Sequence, residues 1–191
     1  MRTDYASDAG MFLVDTVVGL YTLIVMLRFL FGLTGADHLN PISQAVLKLS
    51  NPPLKRLRQI VPRLPGIDTA AVVLLLILEM CRIAGINLLS GHSPAIVGLV
   101  LLSVGELLKL AIYIIIFSIF VRAMLSWFSS TGYTPVLRLM HTFTEPMLNT
   151  FRRLLPVTGG LDFSPIALFI VFMVVLKIVV QPLLDFGRAM L

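Results

Sequence analysis

Long apolar stretches constrain this chain more than any motif in it. A helix needs about 20 mainly apolar residues to cross about 30 Å of hydrocarbon. Met11–Leu33, Ala70–Leu89 and Ser164–Leu184 meet that length, and Ala95–Phe128 exceeds it. Composition agrees, since 58% of the 191 residues are hydrophobic and only 13% charged. Soluble domains carry about twice that share of charge. A water-soluble globule, a disordered chain and a charge-rich coiled coil are thereby excluded, leaving an integral membrane protein. Before the first stretch, Arg2 is offset by Asp4 and Asp8. The stretch itself is longer than the roughly 7–15 apolar residues of a signal peptide, so it reads as a retained span.

The stretch Ala95–Phe128 is too long for one span and too short for two with a turn, since one helix would run about 50 Å. A division near Gly105 is expected, with Ala95–Val104 as linker and Gly105–Phe128 as span. An internal repeat supports the division. Shifted by 94 residues, the chain aligns on itself without a gap. Arg28 meets Arg122, Pro41 meets Pro135, Pro52 meets Pro146, Leu54 meets Leu148 and Arg58 meets Arg152. Further on, Pro62 meets Pro156, Gly66 meets Gly160, Asp68 meets Asp162 and Leu74 meets Leu168. Most of these are Arg, Pro, Gly or Asp, types that apolar coincidence does not supply, so a duplication is inferred. The expected fold is all-α, with four transmembrane helices in two parallel repeats. The repeats are residues 1–94 and, with the linker, 95–191.

Charge sets the orientation. The connection Thr34–Thr69 carries Lys48, Lys55, Arg56, Arg58 and Arg63, and Ser129–Phe163 carries Arg138, Arg152 and Arg153. The linker Ser90–Val104 has no Lys or Arg. The positive-inside rule puts both connections in the cytoplasm and both termini outside. In each connection, apolar residues fall at helical spacing before and after a proline: Ile42, Val46 and Leu49, then Leu54, Leu57 and Val61. Val136, Met140 and Phe143, then Leu148, Phe151 and Leu155, repeat the pattern. Two short amphipathic helices lying in the interface are expected in each. They break at Asn51-Pro52 and Glu145-Pro146, with Pro52 in a first turn capped by Asn51. Pro62 and Pro156 end them, Gly66 and Gly160 turn the chain, and Asp68 and Asp162 cap the next span.

An apolar helix ending in Arg, then P-L-x-x-x-R-x-x-P and G-[IL]-D, resembles the YggT family, called YlmG in other lineages. The residues that carry it are Arg28, Pro41, Pro52, Arg58, Pro62, Gly66 and Asp68 in the first unit. In the second they are Arg122, Trp127, Pro135, Pro146, Arg152, Arg153, Pro156, Gly160 and Asp162. Leu125-Ser126-Trp127 and Phe163-Ser164-Pro165 match the family pattern; Phe31-Gly32-Leu33 and Thr69-Ala70-Ala71 depart from it in the first copy. The resemblance implies a small protein of the plasma (inner) membrane, with proposed links to osmotic or extracytoplasmic stress and to division or nucleoid placement.

Ionisable residues inside a span call for an account. Glu79 and Arg82, three apart, can neutralise each other or form an ion pathway. Lys177 falls near the equivalent place in the second unit. Asp15 and Lys109 are equivalent under the shift, and either form an ion pair between the repeats or stand as two separately solvated end charges. Arg28 and Arg122 either snorkel to phosphates or dock on their own connections, with Asp68 and Asp162 as partners.

No site for catalysis, metal or cofactor is expected. His38, His92 and His141 are scattered, and Gly159-Gly160 lacks the lysine of a phosphate loop. The basic residues are interleaved with membrane-facing positions, so their partners are anionic lipids rather than nucleic acid. The leading function is a non-enzymatic scaffold or assembly factor with protein partners or further copies of itself. The alternative is an ion-transport or channel component using Glu79 and Arg82.

Overall fold

The computed structural model describes residues 5–62, 64–92, 94–128, 134–154 and 162–191. Everything between the turns there is helical. Helix α1 covers Tyr5–Thr34, α2 Pro41–Leu57, α3 Thr69–Leu89 and α4 Ile96–Phe128. Helix α5 covers Pro135–Leu154 and α6 Ser164–Val175; a π-helical turn, Leu176–Val180, leads into α7, Gln181–Ala189. Four stretches are long and apolar enough to cross a membrane: Tyr5–Thr34, Thr69–Leu89, Ile96–Leu125 and Ser164–Ala189. Their outer faces carry large exposed apolar side chains, among them Phe12, Val17, Phe117, Phe120, Ile166 and Phe169. Water would not tolerate such a belt, whereas lipid solvates it.

The units run parallel. Helix α1 packs against α3, with Ser7 Oγ donating to the Leu89 carbonyl at 3.0 Å. Helix α4 packs against α7 in the same antiparallel sense, its start against the end of α7. Both ends of the described chain and the α3–α4 turn therefore share one end of the bundle. The connection helices α2 and α5 share the other.

Two expectations about helix breaks are overturned. Residues 96–104 are helix, and α4 runs unbroken for 33 residues through Gly105. This glycine serves approach instead of bending. A Cβ there would lie 2.6 Å from Leu184 Cδ2, and one at Gly187 would lie 2.8 Å from the Leu102 backbone nitrogen. Gly98 similarly meets the Met190 backbone. Small residues are thus what let α4 and α7 close together.

The connection helices are likewise continuous, each with its prolines inside. The first-turn role falls to Pro41, behind an Asn40 cap whose side chain accepts from the Ile42 N–H at 3.0 Å, and Asn51 caps nothing. Pro53 has no N–H for the Leu49 carbonyl four residues back. The Tyr21 hydroxyl donates to that carbonyl instead, at 3.3 Å. Helix α2 ends at Leu57, five residues before Pro62. Gly66, at φ +82°, then makes the turn, and Asp68 caps α3 by accepting from the Ala71 N–H at 3.4 Å. Pro156, Gly160 and Arg63 lie outside the described residues, as does the Trp127 side chain.

Pro182 accounts for the π-turn. It offers no N–H to Ile178, and the preceding turn widens so that the Gln181 N–H reaches the Leu176 carbonyl five residues back.

Gly187→Val forces a side chain against the α4 backbone. A loss of about 1–3 kcal/mol is expected, read as a lowered midpoint of thermal unfolding in detergent. An unchanged midpoint would contradict the close crossing of α4 and α7.

Candidate functional site

Two polar constellations stand out in this apolar bundle. The first lies where each connection folds back on its own span. Arg28, near the end of α1, is buried, 9% exposed. Its Nη1 donates to Asn51 Oδ1 at 2.7 Å, Ser50 Oγ at 3.0 Å and the Leu47 carbonyl at 3.3 Å. Ninety-four residues on, Arg122 Nη1 donates to Thr144 Oγ1 at 2.9 Å and lies 2.7 Å from Glu145 Oε2. The second contact is a close ion pair without hydrogen-bond alignment. Thr144 and Glu145 are the equivalents of Ser50 and Asn51.

A second arginine completes each clamp. Arg58 pairs with Asp68, and Arg152 pairs with Asp162 through Nε at 2.8 Å and Nη2 at 2.7 Å. Asp162 also accepts from the Ser164 N–H at 3.0 Å, at the start of α6. Arg28 and Arg122 thus dock on their own connections, as one expectation had it. Their partners are the polar residues before each inner proline, because Asp68 and Asp162 are taken by Arg58 and Arg152.

Glu145 makes the second clamp stronger. Its carboxylate bridges Arg122 and, at 2.7 Å, Arg152 Nη1. Burial pushes its carboxyl up, but the two guanidinium groups outweigh that and hold it below the ordinary range. Asp162 is also held low: burial raises it, while the Ser164 hydroxyl and N–H and then Arg152 lower it further. Arg153 is exposed beside this clamp. The two connections also hold each other. Asn40 Nδ2 donates to the Pro135 carbonyl at 2.6 Å, and Asp37 lies 2.9 Å from Arg138 Nε. Beneath them, Phe31 and Phe143 meet edge to face at 5.2 Å.

The second constellation lies within the spans. Arg82 pairs with both Glu79 and Asp15, its Nε lying 3.1 Å from Glu79 Oε1. Glu79 is 3% exposed. Lys109 Nζ pairs with Glu106 Oε2 at 2.9 Å. The Asp15–Lys109 pair is therefore not formed. Adjacency of α1 and α3 gives Asp15 to Arg82, and Glu106, three residues before Lys109 on its own helix, is the nearer partner. A cavity of about 180 Å³ is lined by Gly19, Thr22, Glu79, Arg82, Glu106, Lys109, Leu110 and Tyr113. Thr22 Oγ1 is buried there without a hydrogen-bond partner among the described residues. Lys177 is absent from this lining; it sits exposed in the π-turn.

Sequence reasoning missed Ser50, Thr144, Glu106 and Thr22. The first two carried a signal, because the 94-residue shift pairs one hydroxyl residue with another. Glu106 sits at i, i+3 to Lys109, a signal of the same kind as Glu79–Arg82. Thr22 had none.

Spans that expose apolar faces to lipid, and two like units clamped by matching arginines, define a multi-pass helical membrane protein of tandem repeats. The chain belongs to the CCB3/YggT family, whose model matches it twice, over residues 7–89 and 101–183. It is 34% identical over 179 residues to an uncharacterised protein of Pseudomonas aeruginosa, covering 93% of this chain and 91% of the relative. It is 32% identical over 182 residues, 94% of each chain, to the uncharacterised protein YggT of Escherichia coli K12. No solved structure matches it.

Removing Arg82 strands the buried Glu79 carboxylate inside the bundle without its ion-pair partner. Arg82→Ala is expected to cost about 3–5 kcal/mol, and the double change Glu79→Gln, Arg82→Gln much less. Unfolding of the purified variants in detergent checks this; equal losses would mean that no buried pair exists.

Proposed function

We propose that this protein is a non-enzymatic scaffold or assembly factor of the plasma (inner) membrane, serving the osmotic or envelope-stress and division roles suggested for its family. The observation that carries the reading is the joined pair α2–α5. Two amphipathic helices are tied to one another and to their own spans, and so present one rigid surface. Lys48, Lys55, Arg56 and Arg153 on and around it are exposed and suit anionic headgroups, at about 1 kcal/mol each. Ile42, Leu49 and Val136 are exposed apolar side chains on the same helices, suited to the acyl boundary.

The topology proposed with it has both connections in the cytoplasm and both termini outside. Single cysteines at positions 55 and 153, in a Cys81→Ser background, test this. Both are expected to resist a membrane-impermeant maleimide added outside and to react after permeabilisation. Opposite sidedness of the two would overturn the four-span arrangement.

The second reading is a transport or channel component, favoured by the charged cavity between α1, α3 and α4. The two readings part on one comparison. Under the scaffold reading, crosslinked protein partners survive Glu79→Ala and proteoliposomes conduct no ions. Ion flux abolished by Glu79→Ala would overturn it.

A further inference from the structure

The two clamps differ at one position that matters chemically. In the second unit Glu145 supplies a carboxylate between Arg122 and Arg152. In the first unit that position is Asn51, so Arg28 is surrounded by neutral acceptors only and makes no ion pair among the described residues. Beside it is a cavity of about 210 Å³, room for about seven waters at about 30 Å³ each. Arg28, Arg58, Asp68, His38 and Ser43 supply its polar lining. Two arginines against one aspartate leave the lining with one net positive charge, His38 counted as neutral.

A second difference points the same way. Ser43 is 2% exposed, and its hydroxyl has no hydrogen-bond partner among the described residues. Its equivalent in the second unit is Leu137, a buried apolar residue. A buried hydroxyl without a partner is costly. The first unit thus has a guanidinium without an ion pair and an unpaired hydroxyl beside an open space; at the equivalents of Asn51 and Ser43 the second has a carboxylate and a leucine. The open space is matched in charge to a singly charged anion. Guanidinium forks hold phosphate oxygens well.

We propose that the first-unit cavity binds a phosphate group, which does for Arg28 and Arg58 what the Glu145 carboxylate does for Arg122 and Arg152. The group comes either from a phospholipid headgroup or from free phosphate. The cavity lies at the connection end of α1, the end where a bilayer places its headgroups. The site is independent of the scaffold reading, because its occupancy is read without any partner protein.

The test uses the full chain, delipidated in dodecyl maltoside. Dihexanoyl phosphatidylglycerol is titrated in one arm and inorganic phosphate in the other, with bound phosphorus followed by ³¹P NMR. Saturable binding at one equivalent is expected in at least one arm. Lipid binding that excess phosphate leaves intact assigns the headgroup, and displacement of lipid by phosphate assigns the free anion. Asn51→Glu installs the carboxylate of the second unit and is expected to weaken binding at least about tenfold, because the ligand must now displace a fixed anion from the same guanidinium. Ser43→Leu, placing the bulk of Leu137 at the cavity wall, is expected to do the same and decides the matter if Asn51→Glu does not fold. Absence of saturable binding in both arms overturns the proposal. So does a folded Asn51→Glu or Ser43→Leu protein that binds as tightly as the unaltered chain.

Discussion

A guanidinium buried at the end of a membrane span must find acceptors, and both units of this protein are organised around that requirement. Arg28 and Arg122 carry five donors each, and in a low-dielectric setting unsatisfied donors cost more than any single apolar contact returns. Their acceptors lie on α2 and α5, so each connection has to fold back against the span that precedes it. Folding back carries Arg58 and Arg152 to Asp68 and Asp162, at the starts of α3 and α6. Each unit is thereby closed into a circuit: the first span grips the connection, and the connection grips the second span. Asp68 has two duties in that circuit, since one carboxylate pairs with Arg58 and caps α3. Losing it would release both at once.

The units share this clamp and differ in how their two spans adhere. Helices α1 and α3 add a close ion pair to their packing, with Arg82 held between Asp15 and Glu79. The equivalents of Glu79 and Arg82 are Met173 and Leu176, and there α4 and α7 meet through glycine. Gly98, Gly105 and Gly187 remove the side chains that would hold the backbones apart, so close packing dominates this contact and, among the described residues, only a long ion pair, Arg188 to Glu106 at 4.0 Å, joins it. The π-turn before Pro182 belongs to this second solution, because it comes just ahead of the residues, Leu184 and Gly187, that enter the α4 surface.

What could be read beforehand was whatever depends on residue type at a fixed spacing. Arg, Pro, Gly and Asp recurring at 94 residues marked out two units, the Gly66 turn and the arginines and aspartates of the clamps, but not which of these pair. What could not be read depends on which helices become neighbours. Equivalence under the shift put Asp15 and Lys109 at the same depth, but depth is not contact, and α1 lies along α3. Pro52 and Pro53 signal a break only while their freed carbonyls lack donors, and Tyr21 on another helix supplies one. Gly105 permits a bend and also permits contact; the facing Leu184 selects contact.

Position along the bundle bears on what the charges can do. The cavity around Glu79 and Lys109 draws on residues 19–22 of α1, 79–82 of α3 and 106–113 of α4. The clamps lie at Arg28 and Arg122, farther along the same helices. Between them Val25, Met26, Leu74, Leu75, Ile114, Ile115 and Ile119 are all buried in one continuous apolar core. An ion passing from the cavity to the connection end of a single copy would have to shed its hydration within that core, at a cost of the order that bars charges from hydrocarbon. Among the described residues that core lies between the charged residues and the connection end, and pairing is what makes the charges tolerable inside the bundle. The scaffold proposed above asks of the spans only that they hold the surface of α2 and α5 in place.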